Sequence, residues 1–323
     1  DECSACDTKD HEFSYKELKN RFYSTKFNFL EHTDVYLPTT PYSYNFSLSN
    51  TCNLACRMCG SGHSSKIAQI SKKYPKLQKY VGVVPPKKID PIVLSGSFKN
   101  VEFVTFTGGE PLLDDNTIAV IKMIKSESKN LKVIVFATNL TVLNEELLVE
   151  LDSLDVPIIF NVSIDGPIHI HEYIRYHCSW ETMMNNLSYI RKKYPRIYLS
   201  VNSTISILNV GYVTDTLDLL NKVQDKHGVG FKSLMTSPVL DKRFLHPGIL
   251  PQEIKNQYLD KLKSYQGTLT IKDSNFLIPT AIEMLSKNIS GEIGNFVDYI
   301  TQFDEVAGTS VVEVYPEFKS IFK

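Results

Sequence analysis

The sequence predicts an α/β fold: a partial (β/α)6 TIM-like barrel with an amino-terminal extension and a carboxyl-terminal helical segment. Three observations predict it. Strand-like and helix-like segments alternate through the middle two-thirds of the 323 residues, polar and glycine-rich motifs fall where the strands end, and the last third keeps only helical spacing. Six such repeats imply parallel strands joined by right-handed crossovers, which close only part of an eight-stranded barrel.

Residues 42–49 alternate like a half-buried strand, 101–106 and 132–138 are β-branched and aromatic, and 158–164, 197–205 and 229–236 repeat the pattern. Helices are predicted at 115–126, capped by Asp114 or Asp115, at 144–151 after a turn, at 180–193 as a long amphipathic element, and at 213–224. Residues 244–251 read as a loop with two prolines and a glycine, followed by helices at 252–264, 279–288 and 293–306. This last part holds no cysteine, and its expected use is as a lid or brace on the open barrel edge. The expected division is therefore 1–40 as an extension, 41–240 as the barrel and 241–323 as the helical lid or brace.

At 42% hydrophobic and 22% charged residues, the composition is that of an ordinary globular protein. A net charge of −1 gives no electrostatic case for nucleic acid or a membrane surface. No apolar run has the length of a membrane span. Clustered thiols fit a reducing compartment better than a disulfide framework, so a cytoplasmic location is expected. The chain begins at Asp1, so its start does not speak on a signal peptide.

The densest motif is Ser47-Leu48-Ser49-Asn50-Thr51-Cys52-Asn53-Leu54-Ala55-Cys56-Arg57-Met58-Cys59, directly after the first strand. A [4Fe–4S] cluster normally takes four thiolates, and a structural zinc site is closed by four ligands. Three thiolates without a fourth ligand nearby leave one coordination position for a group that is not protein. The competing arrangement pairs Cys3-x2-Cys6 with Cys56-x2-Cys59 around zinc, but it spans about fifty residues, longer than zinc-ribbon spacing, and leaves Cys52 over.

Three further motifs fall at strand ends, where parallel α/β sheets bind their ligands. Thr107-Gly108-Gly109-Glu110-Pro111 follows the second strand, Thr138-Asn139-Leu140 the third, and Ser163-Ile164-Asp165-Gly166-Pro167 the fourth. Each has a plain alternative. Two glycines serve a tight turn, Ser163 and Asp165 suit a capped turn, and Arg175 suits a salt bridge. Cys178 beside His177 reads as a small buried apolar residue rather than a nucleophile. His63, His169 and His171 stand near the predicted rim as substrate-side candidates.

The cysteine spacing together with Gly108-Gly109-Glu110-Pro111 resembles the signature of the radical S-adenosylmethionine (SAM) superfamily. The resemblance implies a [4Fe–4S] cluster on Cys52, Cys56 and Cys59, with SAM chelating the open iron through its amino and carboxylate groups. It also implies that the backbone of Gly108, Gly109 and Glu110 receives the SAM amino group. Ser163 and Asp165 then contact the ribose or methionine part, Asn139 is their third-strand neighbour, and Arg175 pairs with the SAM carboxylate. Met58 stands where an aromatic residue near adenine is usual. The implied chemistry is reductive cleavage of SAM to a 5′-deoxyadenosyl radical that abstracts hydrogen from a peptide, protein or small molecule. Flavodoxin or ferredoxin is the implied electron donor.

Residues 51–66, the Gly-Gly-Glu-Pro-Leu-Leu stretch, 163–180 and the closing 313–318 resemble radical SAM proteins carrying a twitch or SPASM-like auxiliary-cluster module on the amino-terminal side. Cys3 and Cys6 would belong to that module; two thiolates do not complete a cluster, and residues before Asp1 are expected to supply at least two more. Two other classes compete with this reading. A non-catalytic iron–sulfur or zinc scaffold would have no use for Gly108, Gly109 and Glu110, and a Rossmann methyltransferase would have none for the cysteine triad.

Overall fold

Alternating β-branched and aromatic residues form six short strands in the computed structural model, which describes residues 41–85, 88–239, 241–268 and 270–323. These are β1 (Ser43–Phe46), β2 (Phe103–Phe106), β3 (Val133–Thr138), β4 (Ile158–Ser163), β5 (Ile197–Ile205) and β6 (Leu234–Pro238). All pair in parallel in sequence order, and β1 and β6 remain the two edges, so the sheet curls into a half-barrel without closing. One face carries a row of buried rings. Phe46, Phe106, Phe136 and Phe160 follow one another across four strands at 5.4, 4.8 and 5.3 Å between centroids. They pack with the helices in the main core.

The crossover helices are α1 (Ser65–Lys73), α2 (Asp115–Glu127), α3 (Glu145–Asp152), α4 (Ile168–Ile174), α5 (Trp180–Lys193) and α6 (Val213–His227). Local chemistry sets their ends. Ser64, Asp114, Asn144 and Ser179 each accept a backbone N–H from the first turn, while Gly228 ends α6 in the left-handed conformation at φ 59°. Arg191, Lys192 and Lys193 sit in the last turn of α5, where the helix dipole favours cations.

The carboxyl-terminal helices are α7 (Gln252–Lys263), α8 (Leu277–Ser286) and α9 (Ile293–Ala307). Residues 40–323 form one compact unit that includes them. Helix α8 packs on β6 and α6, which braces that sheet edge, whereas α9 packs on the turns at Pro75–Leu77 and Arg243–Leu245. The segment predicted as a loop at 244–251 instead contains two buried 3-10 turns, Arg243–Leu245 and Pro247–Ile249. Buried Phe244, Leu245, Ile249 and Leu250 account for that order.

Three strand and helix bounds shift for identifiable reasons. β1 stops at Phe46 because the chain beyond it is taken up by other partners: Ser49 bridges Lys88, and Ile89 donates to the Leu48 carbonyl. β6 begins at Leu234, not 229, because Val229 and Phe231 close the end of α6 by donating to the carbonyl and side chain of Gln224. Helix α8 starts at Leu277, with Pro279 in its first turn, where the missing N–H costs nothing. Helices α1 and α4 were not expected. Cys3 and Cys6 lie outside the described residues. Among the described residues no helix is long and apolar enough to cross a membrane.

Phe136 is fully buried between Phe106 and Phe160. Phe136→Ala is expected to lower unfolding free energy by about 3–5 kcal/mol, read from urea unfolding against wild type. A shift below about 1 kcal/mol would mean that the ring row does not carry the sheet.

Candidate functional site

Beyond β1 the chain crosses the turn that follows β2 at backbone contact distance. Thr107 N donates to Phe46 O at 2.7 Å, Gly109 N to Ser49 O at 3.1 Å and Glu110 N to Thr51 O at 2.7 Å. Gly108 has φ +101°, and a Cβ on Gly109 would lie 2.0 Å from Thr51 O. The two glycines are thus required by the approach of the cysteine loop itself. The expected reason, close approach of a ligand, is a separate one.

The loop is then pinned on both sides. Ala55 and Cys56 pair antiparallel with Tyr176 and Arg175, and Arg57 N donates to Ile174 O at 2.8 Å. At the start of α1, Ser64 Oγ donates to Leu54 O at 2.6 Å and Ser65 Oγ accepts from Cys52 N at 3.1 Å. Cys52 and Cys56 are buried and Cys59 is half-buried. With Leu54 they form a small cluster of their own, with Cys178 packed against it.

Cations face these thiols. Arg175 Nε donates to Asp165 Oδ2 at 2.6 Å, and its Nη1 stands 3.8 Å from Cys56 Sγ. Lys242 Nζ donates to Cys59 O at 2.8 Å, and desolvation lowers its pKa to about 8. A hydrogen bond from Cys56 lowers the Cys59 thiol against the effect of burial, with Arg175, Lys242 and His63 helping. Cys56 is correspondingly pushed well up by the same bond and by burial, and burial pushes Cys52 up to about 12.

Asp165 is a hub. Its Oδ1 accepts Thr204 N at 2.8 Å, its carbonyl accepts Asn209 Nδ2 at 2.8 Å, and its N–H donates to His171 Nδ1 at 3.2 Å. Burial holds the His171 pKa well below its usual value, so its other nitrogen, Nε2, carries the proton and donates to Cys178 Sγ at 3.4 Å. Cys178 thus pairs with His171, not with adjacent His177, and burial pushes its thiol up to about 12. Glu110 is also internal. Its carboxylate accepts Thr138 Oγ1 at 2.7 Å, Asn139 N at 2.7 Å and Leu112 N at 3.2 Å, and burial raises its pKa to about 6. Asn139 Nδ2 reaches Asn53 Oδ1 in the cysteine loop at 3.1 Å. The side chains of Glu110, Asn139 and Asp165 tie together the loops that surround the thiols.

Ser163 is half-buried at the end of β4, and Met58 is half-buried against the main core. His63 and His169 are exposed, and His169 sits edge-on to Tyr212. Opposite the ring row, the sheet shows its other face. Ser163, Asn202 and Met235 share one level, Asn161 and Ser200 the level below, and Thr204 and Ser237 the level above. All are uncharged.

Four residues that sequence reasoning passed over complete the surroundings. Arg57 is sealed from solvent, stacks 3.6 Å over the Tyr173 ring and pairs with Asp304 at 2.6 Å. Tyr299 OH donates to Arg57 O at 2.7 Å, and Lys242 is the fourth. The available signal was the Cys-Arg-Met-Cys order itself, a cation between two thiols. Among the described residues, no three His, Cys, Asp or Glu side chains converge tightly enough to hold a single metal ion.

A sequence profile of the radical SAM superfamily matches residues 46–220, which include the cysteine loop, the last residue of β1 and all of β2 to β5. The chain belongs to the radical SAM superfamily of enzymes. An uncharacterized protein of Methanocaldococcus jannaschii is 26% identical over 224 residues, 68% of this chain and 70% of that protein. Among solved structures, this radical SAM chain is similar to anSMEcpe with bound AdoMet at 19% identity and a TM-score of 0.45, over 83% of this chain and 63% of the other. It is also similar to Streptococcus suis SuiB bound to precursor peptide SuiA, at 13% identity and a TM-score of 0.45, over 82% of this chain and 54% of SuiB. The chain spans less than two thirds of the length of either structure.

Because the Gly109 Cβ position falls on Thr51 O, Gly109→Ala is expected to displace the loop and lose iron incorporation and SAM binding together. Gly294→Ala, where nothing lies within 4 Å, is the control and is expected to match wild type. Iron content after anaerobic reconstitution and SAM titration check this. Full iron with loss of SAM binding alone would restore the ligand-approach account.

Proposed function

We propose that this radical SAM enzyme holds a [4Fe–4S] cluster through Cys52, Cys56 and Cys59 and binds SAM beside it. When bound, the cluster supplies one electron for reductive cleavage of SAM to a 5′-deoxyadenosyl radical, which abstracts hydrogen from the substrate. One observation carries the reading: three thiols of one loop are gathered at the carboxyl ends of parallel strands, facing Arg175 and Lys242. That donor set fits an anionic cluster. Fixed cations offset thiolate charge, and a four-iron cluster spreads its cysteines over different irons, so it needs wider thiol spacing than one zinc ion does.

The remaining residues have supporting parts. Asp165 fixes the Arg175 guanidinium, whose fork suits a carboxylate such as that of SAM. Gly108 and Gly109 hold the loop, and their backbone and that of Glu110 are the proposed seat of the SAM amino group. Met58 is the apolar neighbour proposed for adenine, and Ser163 the hydroxyl proposed for the ribose or methionine part. Asn161, Asn202, Thr204 and Ser237 give the sheet a neutral, hydrogen-bonding floor, which supports a substrate uncharged near the reacting position, in a peptide or a small molecule. A ferredoxin or flavodoxin is the proposed electron donor, and a cytoplasmic location is proposed from the free thiols.

Anaerobic reconstitution is expected to load about four irons per chain, and the Cys52, Cys56 and Cys59 triple alanine variant almost none. With dithionite and SAM, the wild type is expected to release 5′-deoxyadenosine and the variant none. A variant that keeps its iron and Mössbauer spectrum would remove the assignment.

A further inference from the structure

Arg57 follows Cys56 by one residue and precedes Cys59 by two, yet its side chain leaves the thiols and enters the carboxyl-terminal segment. A guanidinium is seldom sealed from water unless it is paired and hydrogen-bonded. Here it is fully buried, with Nη2 donating to Asp304 Oδ1 at 2.6 Å and to Thr309 Oγ1 at 2.8 Å, and Nη1 donating to Tyr173 O. The Phe303 ring also lies against it, with its centroid 4.7 Å from the guanidinium carbon. Asp304 is itself fixed by Tyr173 OH at 3.0 Å, Thr309 Oγ1 at 2.7 Å and Val311 N at 2.6 Å.

Two more bonds from the same segment land on the loop backbone, from Tyr299 OH to the Arg57 carbonyl and from Lys242 Nζ to the Cys59 carbonyl. The span that carries two of the three thiols is therefore held at its side chain and at two carbonyls by residues 242–309. We propose that Arg57 and Asp304 are positioning residues for the cysteine loop, through which the carboxyl-terminal helices govern retention and electronic environment of the group held by Cys56 and Cys59. The proposal rests on the cluster assignment above. It gives the carboxyl-terminal segment a task apart from bracing the sheet edge.

The test uses the full chain, anaerobically reconstituted. Wild type is compared with Asp304→Asn, with the double variant Arg57→Met, Asp304→Leu, and with Asp298→Asn. Asp298 lies on the helix of Asp304; its change removes the exposed ion pair with Lys79, leaves an acceptor for the Tyr80 hydroxyl, and serves as control. Three quantities are read: the rate of iron transfer to a ferrous chelator, the EPR spectrum of the dithionite-reduced protein with and without SAM, and the melting temperature of the metal-free chain. Removing an outer support of a metal ligand typically costs ten- to a hundredfold in metal affinity, so Asp304→Asn is expected to release iron at least about tenfold faster. The control should match wild type.

The double variant separates positioning from bulk stability, because an apolar pair can replace a buried ion pair without loss of stability. It is expected to melt near wild type, yet release iron as fast as Asp304→Asn and show an altered EPR spectrum. Wild-type iron release and EPR in the double variant would overturn the proposal. Failure of the double variant to fold would also overturn it, by assigning the pair to the fold. A wild-type chain that takes up no cluster would instead sink the cluster assignment.

Discussion

The approach of the cysteine loop to the Gly108-Gly109 turn is the constraint on which the site depends. Parallel strands leave their carboxyl ends unconnected, because every ladder bond runs between strand interiors. The loop after β1 therefore has no inherent reason to stay beside the loop after β2. Backbone hydrogen bonds from Gly109 to Ser49 and from Glu110 to Thr51 supply one, and they form only because no Cβ occupies the space next to Thr51. The cysteine positions inherit that register, since Cys52 follows Thr51 directly.

Charge explains the second layer. Three thiols in a desolvated patch resist ionisation, as the upward shifts of Cys52 and Cys56 show, and each thiolate formed makes the next harder to form. Arg175 and Lys242 approach from separate segments of the chain and offset this cost. Neither stands loose: Asp165 aims the guanidinium, and the Cys59 carbonyl and the Tyr299 ring hold the ammonium, the ring at 5.0 Å. The lowered pKa of Lys242 reflects how little water reaches it.

Much of this was legible in the sequence, because the barrel is built from local signals. Strand alternation and a helix cap such as Asp114 act over a few residues, and the cysteine and Gly-Gly motifs are short and ordered by strand ends. What stayed hidden acts over distance. Arg57 and Asp304 are 247 positions apart, and neither sits in a periodic pattern that names its partner. Helix α4 was missed because Ile168–Ile174 is only seven residues long and follows a turn motif, Asp165-Gly166-Pro167, that dominates the local signal. For Gly108 and Gly109 the structure adds a reason, since glycine reports close approach without saying what approaches.

Buried carboxylates at the rim follow from the same geometry. Glu110 joins the loop after β2 to the start of the loop after β3, and Asp165 joins the loop after β4 to Thr204 near the end of β5. Each accepts a backbone N–H from the neighbouring strand's end, just where the sheet ladder has run out. A carboxylate suits this place because it accepts several donors at once in a buried setting, where unpaired N–H groups are costly. The raised pKa of Glu110 shows that burial outweighs even three donors. An acidic residue at such a strand end is therefore first a stitch between loops. What it holds in place is Asn139, and through it Asn53, in one case and Arg175 in the other.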